Sequence, residues 1–182
     1  MTRACSSLAA LDMNKFFLIA ILLFLRGILF GQDDLIGSIE HNVDLIDRDS
    51  TLEMKEFDAN QVYGHTYDGG GVISVHFDRK GIRKIKEEIG ISTGRLTTII
   101  YLKEGDPIKI IEREENFAHH ADKPEMDYSR LHQVFQTEIY IFNWEKDHTQ
   151  VRKKGARNFS EESCGLFEYE PLIALVREQM KK

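Results

Sequence analysis

The sequence predicts an α+β fold: an antiparallel β-meander of repeated hairpins, packed with an N-terminal and a C-terminal amphipathic helix. Two observations carry this expectation. Three segments each read as an apolar strand, a polar turn and a charged return strand: Val72–Glu88, Thr97–Glu115 and Thr137–Gly155. Short turns join strands that lie side by side, so these hairpins assemble most economically as a meander of about six or seven strands. At either end of this region, apolar residues recur at helical rather than alternating spacing.

Taken in order, the chain begins with residues 1–31, read as a signal-peptide region. Phe16–Leu25, "FFLIAILLFL", is ten unbroken apolar positions, the length of a signal core and too short to span a bilayer. Lys15 precedes it, and a start at Met13 gives a compact positive n-region. Small Gly31 offers cleavage before Gln32, which leaves residues 32–182 as a single domain, exported to the periplasm or secreted. An uncleaved N-terminal membrane anchor is the alternative. Only Cys5 and Cys164 occur, and cleavage removes Cys5, so no disulfide is expected.

Asp33 and Asp34 suit a helix start, and Leu35, Ile36, Ile39, Val43 and Ile46 form an apolar stripe over Asp34–Asp47. "TLEMKEFD" alternates as a half-exposed strand does. In "QVYGHTY", Tyr63, His65 and Tyr67 alternate, which predicts three rings on one strand face. Gly69–Gly71 follow. A phosphate loop needs a lysine and a hydroxyl at a helix mouth after its glycines, whereas here "VISVHF" alternates as a strand, so these glycines are read as turning the chain. The turns Asp78–Gly81, Lys103–Asp106 and Asn143–Asp147 hold the Gly, Asp and Asn that tight hairpins require. Ala118–Arg130, with Pro124, is read as an exposed loop. Ser160–Ser163 are read as a helix cap, and Leu172, Ile173, Leu175, Val176 and Met180 as the stripe of a last helix with Pro171 in its first turn.

Charge narrows the partners. The whole chain has 24 basic and 30 acidic residues; residues 1–31 remove three and one, which leaves 21 against 29 and a net charge of −8. That average field repels nucleic acid and anionic lipid, and "RKKGAR", Arg152–Arg157, is read as a solvated turn. The remaining partner classes are an unknown protein or a small ligand, with membrane contact only through the N-terminal segment. No cofactor is expected.

The chemistry-bearing residues are few. Tyr63, His65, Tyr67, His76 and Tyr101 form a two-faced aromatic and histidine set suited to binding by stacking and hydrogen bonding. No catalytic motif is present: no G-x-S-x-G, H-E-x-x-H, C-x-x-C or S-x-x-K. A non-catalytic binding protein is therefore the leading reading. A hydrolase using His65 or His76 with a carboxylate such as Asp68 is the alternative, and metal binding through His119 and His120 is the third. Glu87, Glu88, Glu112, Glu114 and Glu115 are read as members of cross-strand ion pairs on a solvated sheet face.

Tyr63–Phe117, from "YGHTYDGGGVISVHF" through "GISTGR" and "IIYLKEGD", together with "TEIYIFNWEKDHTQVRKKG", resembles a loose group of small exported bacterial proteins with repeated β-hairpins. In that group a glycine-rich turn precedes a strand, then a glycine-containing segment leads into a tyrosine-rich strand. Only Tyr101 stands here where a tyrosine pair is expected. The resemblance implies an exported, β-rich domain; the group has no assigned activity, so no catalytic residue is carried over.

Overall fold

Alternation of β-branched apolar residues with charged ones sets the architecture. The computed structural model describes residues 33–120, 125–159 and 165–182. The signal-like segment, Asp122, Pro124, Ser160–Ser163 and Cys164 lie outside the described residues. Seven strands form one antiparallel sheet in sequence order: β1 Glu53–Asp58, β2 Gly71–Asp78, β3 Gly81–Ile91, β4 Gly94–Lys103, β5 Asp106–His119, β6 Met126–Asn143 and β7 His148–Gly155. Each strand pairs with its neighbours in the chain, so the sheet is the meander the hairpins predict. The turn between β4 and β5 shows why the hairpins form where they do. Glu104 and Gly105 both take positive φ, the pair of left-handed residues that a two-residue hairpin of native twist demands.

The helices are short beside the sheet. Residues 33–48 are helical (α1), α2 spans Ala59–Tyr63, a 3-10 turn spans Leu166–Tyr169 and α3 spans Glu170–Gln179. The chain divides into a unit of residues 1–40 and a unit of residues 41–182. In the first, Ile36 and Ile39 are buried on the helix while Leu35 is half exposed; in the second, Val43 and Ile46 are buried on the continuation of α1. α3 carries Pro171 in its first turn, where the missing N–H costs no hydrogen bond. Tyr169 stands at the N-cap of this helix and makes no side-chain bond there.

Residues directly opposite each other in an antiparallel pair share a face. One face therefore carries the row Val75, Ile85, Ile100, Ile110 and Ile139. These side chains belong to one buried cluster together with Ala59, Leu166, Tyr169, Leu172, Ile173 and Val176. Each fully buried aliphatic stabilises the fold by roughly 1.5–3 kcal/mol relative to exposure. The same face continues through Ile73, Glu87, Thr98, Glu112 and Thr137, then through Ile89, Leu96, Glu114 and Phe135.

The carboxylates on that face correct the sequence reading. Glu114 has no exposed surface. Its Oε1 accepts from the backbone N–H groups of Asn158 at 2.8 Å and Phe159 at 3.1 Å. Arg157 donates to Glu112 and lies 4.3 Å over the Phe135 ring. Tyr63 donates to Glu87. A carboxylate withdrawn from water has to be met by donors, and three of the five expected surface acids are met in this way. Glu88 behaves as expected, pairing with Lys86 at 2.7 Å and Arg95 at 3.2 Å.

The opposite face is a ladder of alternating cations and rings: His76, Lys84, Tyr101, Lys109, Tyr140. The Lys84 ammonium lies 5.2 Å from the Tyr101 ring centre and that of Lys109 4.7 Å from Tyr140. Asp47, near the end of α1, accepts from Lys84 at 2.6 Å and from the Tyr101 hydroxyl at 3.0 Å. Glu138 accepts from Lys109 at 3.0 Å and from the Tyr140 hydroxyl at 2.7 Å. Burial works to raise the Glu138 carboxyl, but Tyr140, Lys109 and Gln136 outweigh it and hold it below the usual range.

Two further expectations change. Ala118–Arg130 is not a loop along its length: Ala118 and His119 end β5, and Met126–Arg130 begin β6. Arg152–Lys154 lie in strand β7 rather than in a turn.

Gly90→Ala should destabilise the fold by at least about 1–3 kcal/mol, because a Cβ there would stand 2.6 Å from the Gly69 backbone. Gly37→Ala, on α1 with open space around it, should stabilise by about 0.5–1 kcal/mol. Chemical denaturation of the two variants beside the parent checks both signs. Glu138→Gln should cost roughly 2 kcal/mol by the same measurement, since it removes the counter-charge of a nearly buried lysine.

Candidate functional site

The glycine run organises a region where hollows, aromatics and charge converge. The Gly69 N–H donates to Gly90 O at 3.2 Å, and the Gly90 N–H donates to Gly70 O at 2.8 Å. Two backbones approach so closely here that a Cβ on either Gly69 or Gly90 would meet the other chain below 3 Å. The run closes against the end of β3 and then enters β2. No helix follows it, so it lacks the geometry of a phosphate loop.

This seam is flanked by two hollows that share Gly69, Gly90 and Arg95. One, of about 340 Å³, is lined by Gly69–Val72, Glu88, Gly90 and Arg95. The other, of about 250 Å³, adds an apolar wall of Ile91, Phe117, Tyr128 and Leu131 and a polar rim of Asp68, Ser92 and Arg95. Phe117 and Tyr128 meet edge to face with ring centres 5.0 Å apart, and Tyr128 is 69% exposed.

A bulge puts Tyr128 there. Phe117 pairs with Leu131, but the next residue, Ala118, pairs with Asp127, so Tyr128, Ser129 and Arg130 have no opposite number on β5. An extra stretch in one strand bends it and re-aims its side chains. Asp127 holds the bulge: its carboxylate accepts from Ser129 N at 3.1 Å, Ser129 Oγ at 2.5 Å and Arg130 Nε at 2.5 Å. The Ser129 hydroxyl first, then Arg130, lower the Asp127 carboxyl to about 2. The sequence carried a readable sign of this in "DYSR", an aspartate two residues before a serine, which is the pattern of a side chain bonding its own backbone.

The expected site residues divide between the faces of the sheet. Tyr63, His65 and Tyr67 do not share a strand, because Tyr63 ends α2 and the next residues run without regular structure. Asp58 accepts from Asn60 N at 2.8 Å and so starts a helix where alternation predicted a strand. The three rings still meet: His65 and Tyr67 stand 4.9 Å apart and Tyr63 and Tyr67 6.3 Å apart, all edge to face. Tyr63 reaches Glu87 on the core face. Burial raises the Glu87 carboxyl, and burial followed by Glu87 itself raises the Tyr63 hydroxyl. His76 and Tyr101 lie on the opposite face in the lysine–tyrosine ladder, where burial and then Lys84 lower the His76 imidazole. His65 thus stands beside Tyr67, and His76 beside Lys84. His119 pairs with Met126, and the His120 backbone N–H donates to Glu125 O at 3.2 Å, at the end of the β5–β6 hairpin. Among the described residues, no group of three or more His, Cys, Asp or Glu side chains stands ready to hold a metal. Tyr128, Arg95 and Phe117 did not figure among the expected site residues.

No protein-family model, curated protein or solved structure matches this chain.

Glu87→Gln gives a pH test of the tyrosine cluster. The folded carboxyl of Glu87 is raised, so its contribution to stability is present below its ordinary value near 4.5 and is lost as pH rises through the folded value. The amide still accepts from Tyr63 and does not ionise. Melting curves of parent and variant should therefore converge in acid and separate as pH rises towards neutrality, with the variant gaining.

Proposed function

We propose that this chain is an exported, non-catalytic binding protein, and that the hollow at the glycine seam receives a small hydroxyl-bearing ring of about the size of one sugar unit. The bulge that carries Tyr128 supports this reading most directly. A strand interrupts its ladder for three residues, and Asp127 fixes the interruption so that a ring stands exposed at the rim of a hollow. An exposed tyrosine offers a flat apolar face, while Asp68, Ser92 and Arg95 offer both donors and acceptors around it. A ligand that is apolar on its faces and hydroxylated on its rim fits that combination. Arg95 already pairs with Glu88, a polar arrangement held ready rather than a charge awaiting a reaction.

Export rests on "FFLIAILLFL" behind Lys15 and on the small Gly31 before Gln32. The likeness to small exported hairpin proteins agrees with it. In this reading residues 41–48 of α1 and the whole of α3 cover opposite faces of the sheet. The Asp47 bonds to Lys84 and Tyr101 support the first placement, and the shared cluster of Leu172, Ile173 and Val176 with Ile100 and Ile110 supports the second.

Amide chemical shifts of the purified chain, titrated with glucose, galactose and mannose in turn, test the binding reading. At least one sugar should shift Gly69, Gly90, Tyr128 and Leu131 saturably, and Tyr128→Ala should raise its Kd about tenfold with the fold intact. Shifts that do not saturate, or that ignore the loss of Tyr128, reject the site. N-terminal sequencing of the chain recovered from its exporting cell should begin at or near Gln32.

A further inference from the structure

The two edges of the sheet are open and carry opposite charge. Among the described residues β1 pairs only with β2, and β7 only with β6, so each presents one unpaired row of backbone donors and acceptors. β1 holds Glu53, Glu56 and Asp58 against Lys55, with all but Phe57 exposed. β7 holds Arg152, Lys153 and Lys154, all exposed. Charged edges are the usual guard against sheet-to-sheet pairing. Here the guard is selective. Two β7 edges would oppose three cations to three cations, and two β1 edges would bring together strands that each carry three acids and one lysine. A β1 edge beside a β7 edge meets no such barrier.

Direction and register agree with charge. In a seven-stranded antiparallel meander the first and seventh strands run the same way. A copy displaced sideways without being turned over therefore lays its β1 beside β7 in parallel, with both faces of the sheet continuous. The cross-strand rows end in matched residues. The row Glu56, Ser74, Lys86, Ile99, Ile111, Glu138 ends in Arg152, and the row that starts at Asp58 ends in Lys154. The isoleucine row starts at Lys55 and ends at Val151, and the row of Phe57 ends at Lys153. Unstaggered contact thus brings Glu56 to Arg152 and Asp58 to Lys154 on one face. On the other it brings Lys55 to Val151 and Phe57 to Lys153. No like charges meet.

We propose that a second copy of this chain adds its β1 edge in parallel to the β7 edge of the first, a head-to-tail contact selected by Glu56 and Asp58 against Arg152 and Lys154. The contact leaves a free β1 at one end and a free β7 at the other, so it repeats. Sheet twist turns each copy relative to the last, which makes the product an open helical string unless the rotation closes a ring.

Sedimentation velocity over a concentration series tests this with charge reversals at either edge. The parent should associate progressively at low salt and less at high salt. Glu56→Lys leaves Asp58 to start α2 and sets a cation opposite Arg152; Arg152→Glu sets an anion opposite Glu56. Each variant alone should associate at least about tenfold more weakly, since each reversed position trades an attraction for a repulsion of similar size. An equimolar mixture of the two should associate again, because the two reversed charges attract where one variant's β1 meets the other's β7, and the parent pairing returns where the roles are exchanged. That recovery separates lost complementarity from lost folding. If either reversal does not fold, Glu56→Gln and Lys154→Gln take its place, and each should weaken association in the same direction. A parent that stays monomeric throughout the low-salt series overturns the proposal, as do folded variants that associate like the parent or a mixture of folded variants that stays dispersed.

Discussion

Glu114 is a carboxylate with no exposed surface in the middle of a sheet face, and the closing of the molecule over that face depends on it. An ionised group withdrawn from water must be met by donors or it costs several kcal/mol. Its neighbours in the cross-strand row, Leu96 and Phe135, have no side-chain donors to give. The donors come instead from the backbone of Asn158 and Phe159, beyond the last strand. The chain is thereby drawn back across the face it has just finished building. Arg157 makes the same crossing to Glu112, stacked on Phe135. From there the chain continues to the 3-10 turn and α3, whose Leu172, Ile173 and Val176 join the isoleucine cluster. One buried acid links the polar half of this face to its apolar half.

The opposite face solves a related problem differently. Lys84 and Lys109 alternate with Tyr101 and Tyr140 across adjacent strands, so each cation lies over a ring, and Asp47 and Glu138 supply the counter-charges. The cross-strand spacing that serves apolar side chains on one face here serves cation and ring. The glycine seam stands at one end of this framework. Gly69 and Gly90 allow contact between backbones that any side chain would prevent, and the hollows open beside the contact because nothing projects from either chain to fill them.

Much of the framework was legible. The three hairpins, their turns and the sequence-ordered sheet follow from alternation and turn chemistry, which are local. The helical spacing of Ile39, Val43 and Ile46 and of Leu172, Ile173 and Val176 was legible for the same reason. The site was legible only in part. Alternation placed Tyr63, His65 and Tyr67 on a strand, but the Asp58 cap turned that stretch into a helix and a loop, and the rings meet through a fold in the chain instead. Tyr128 was hidden in a segment read as loop, because a bulge breaks the alternation by which a strand is recognised.

The sequence by itself determined the strand order and the hairpin turns, because neighbours in the chain set those. Only the tertiary structure decided which carboxylates leave the solvent, which aromatic ring stands at a hollow, and that the chain recrosses its own sheet. Each of those depends on donors and surfaces brought from distant parts of the chain, such as the 44 positions between Glu114 and Asn158, and local pattern holds no record of such a meeting.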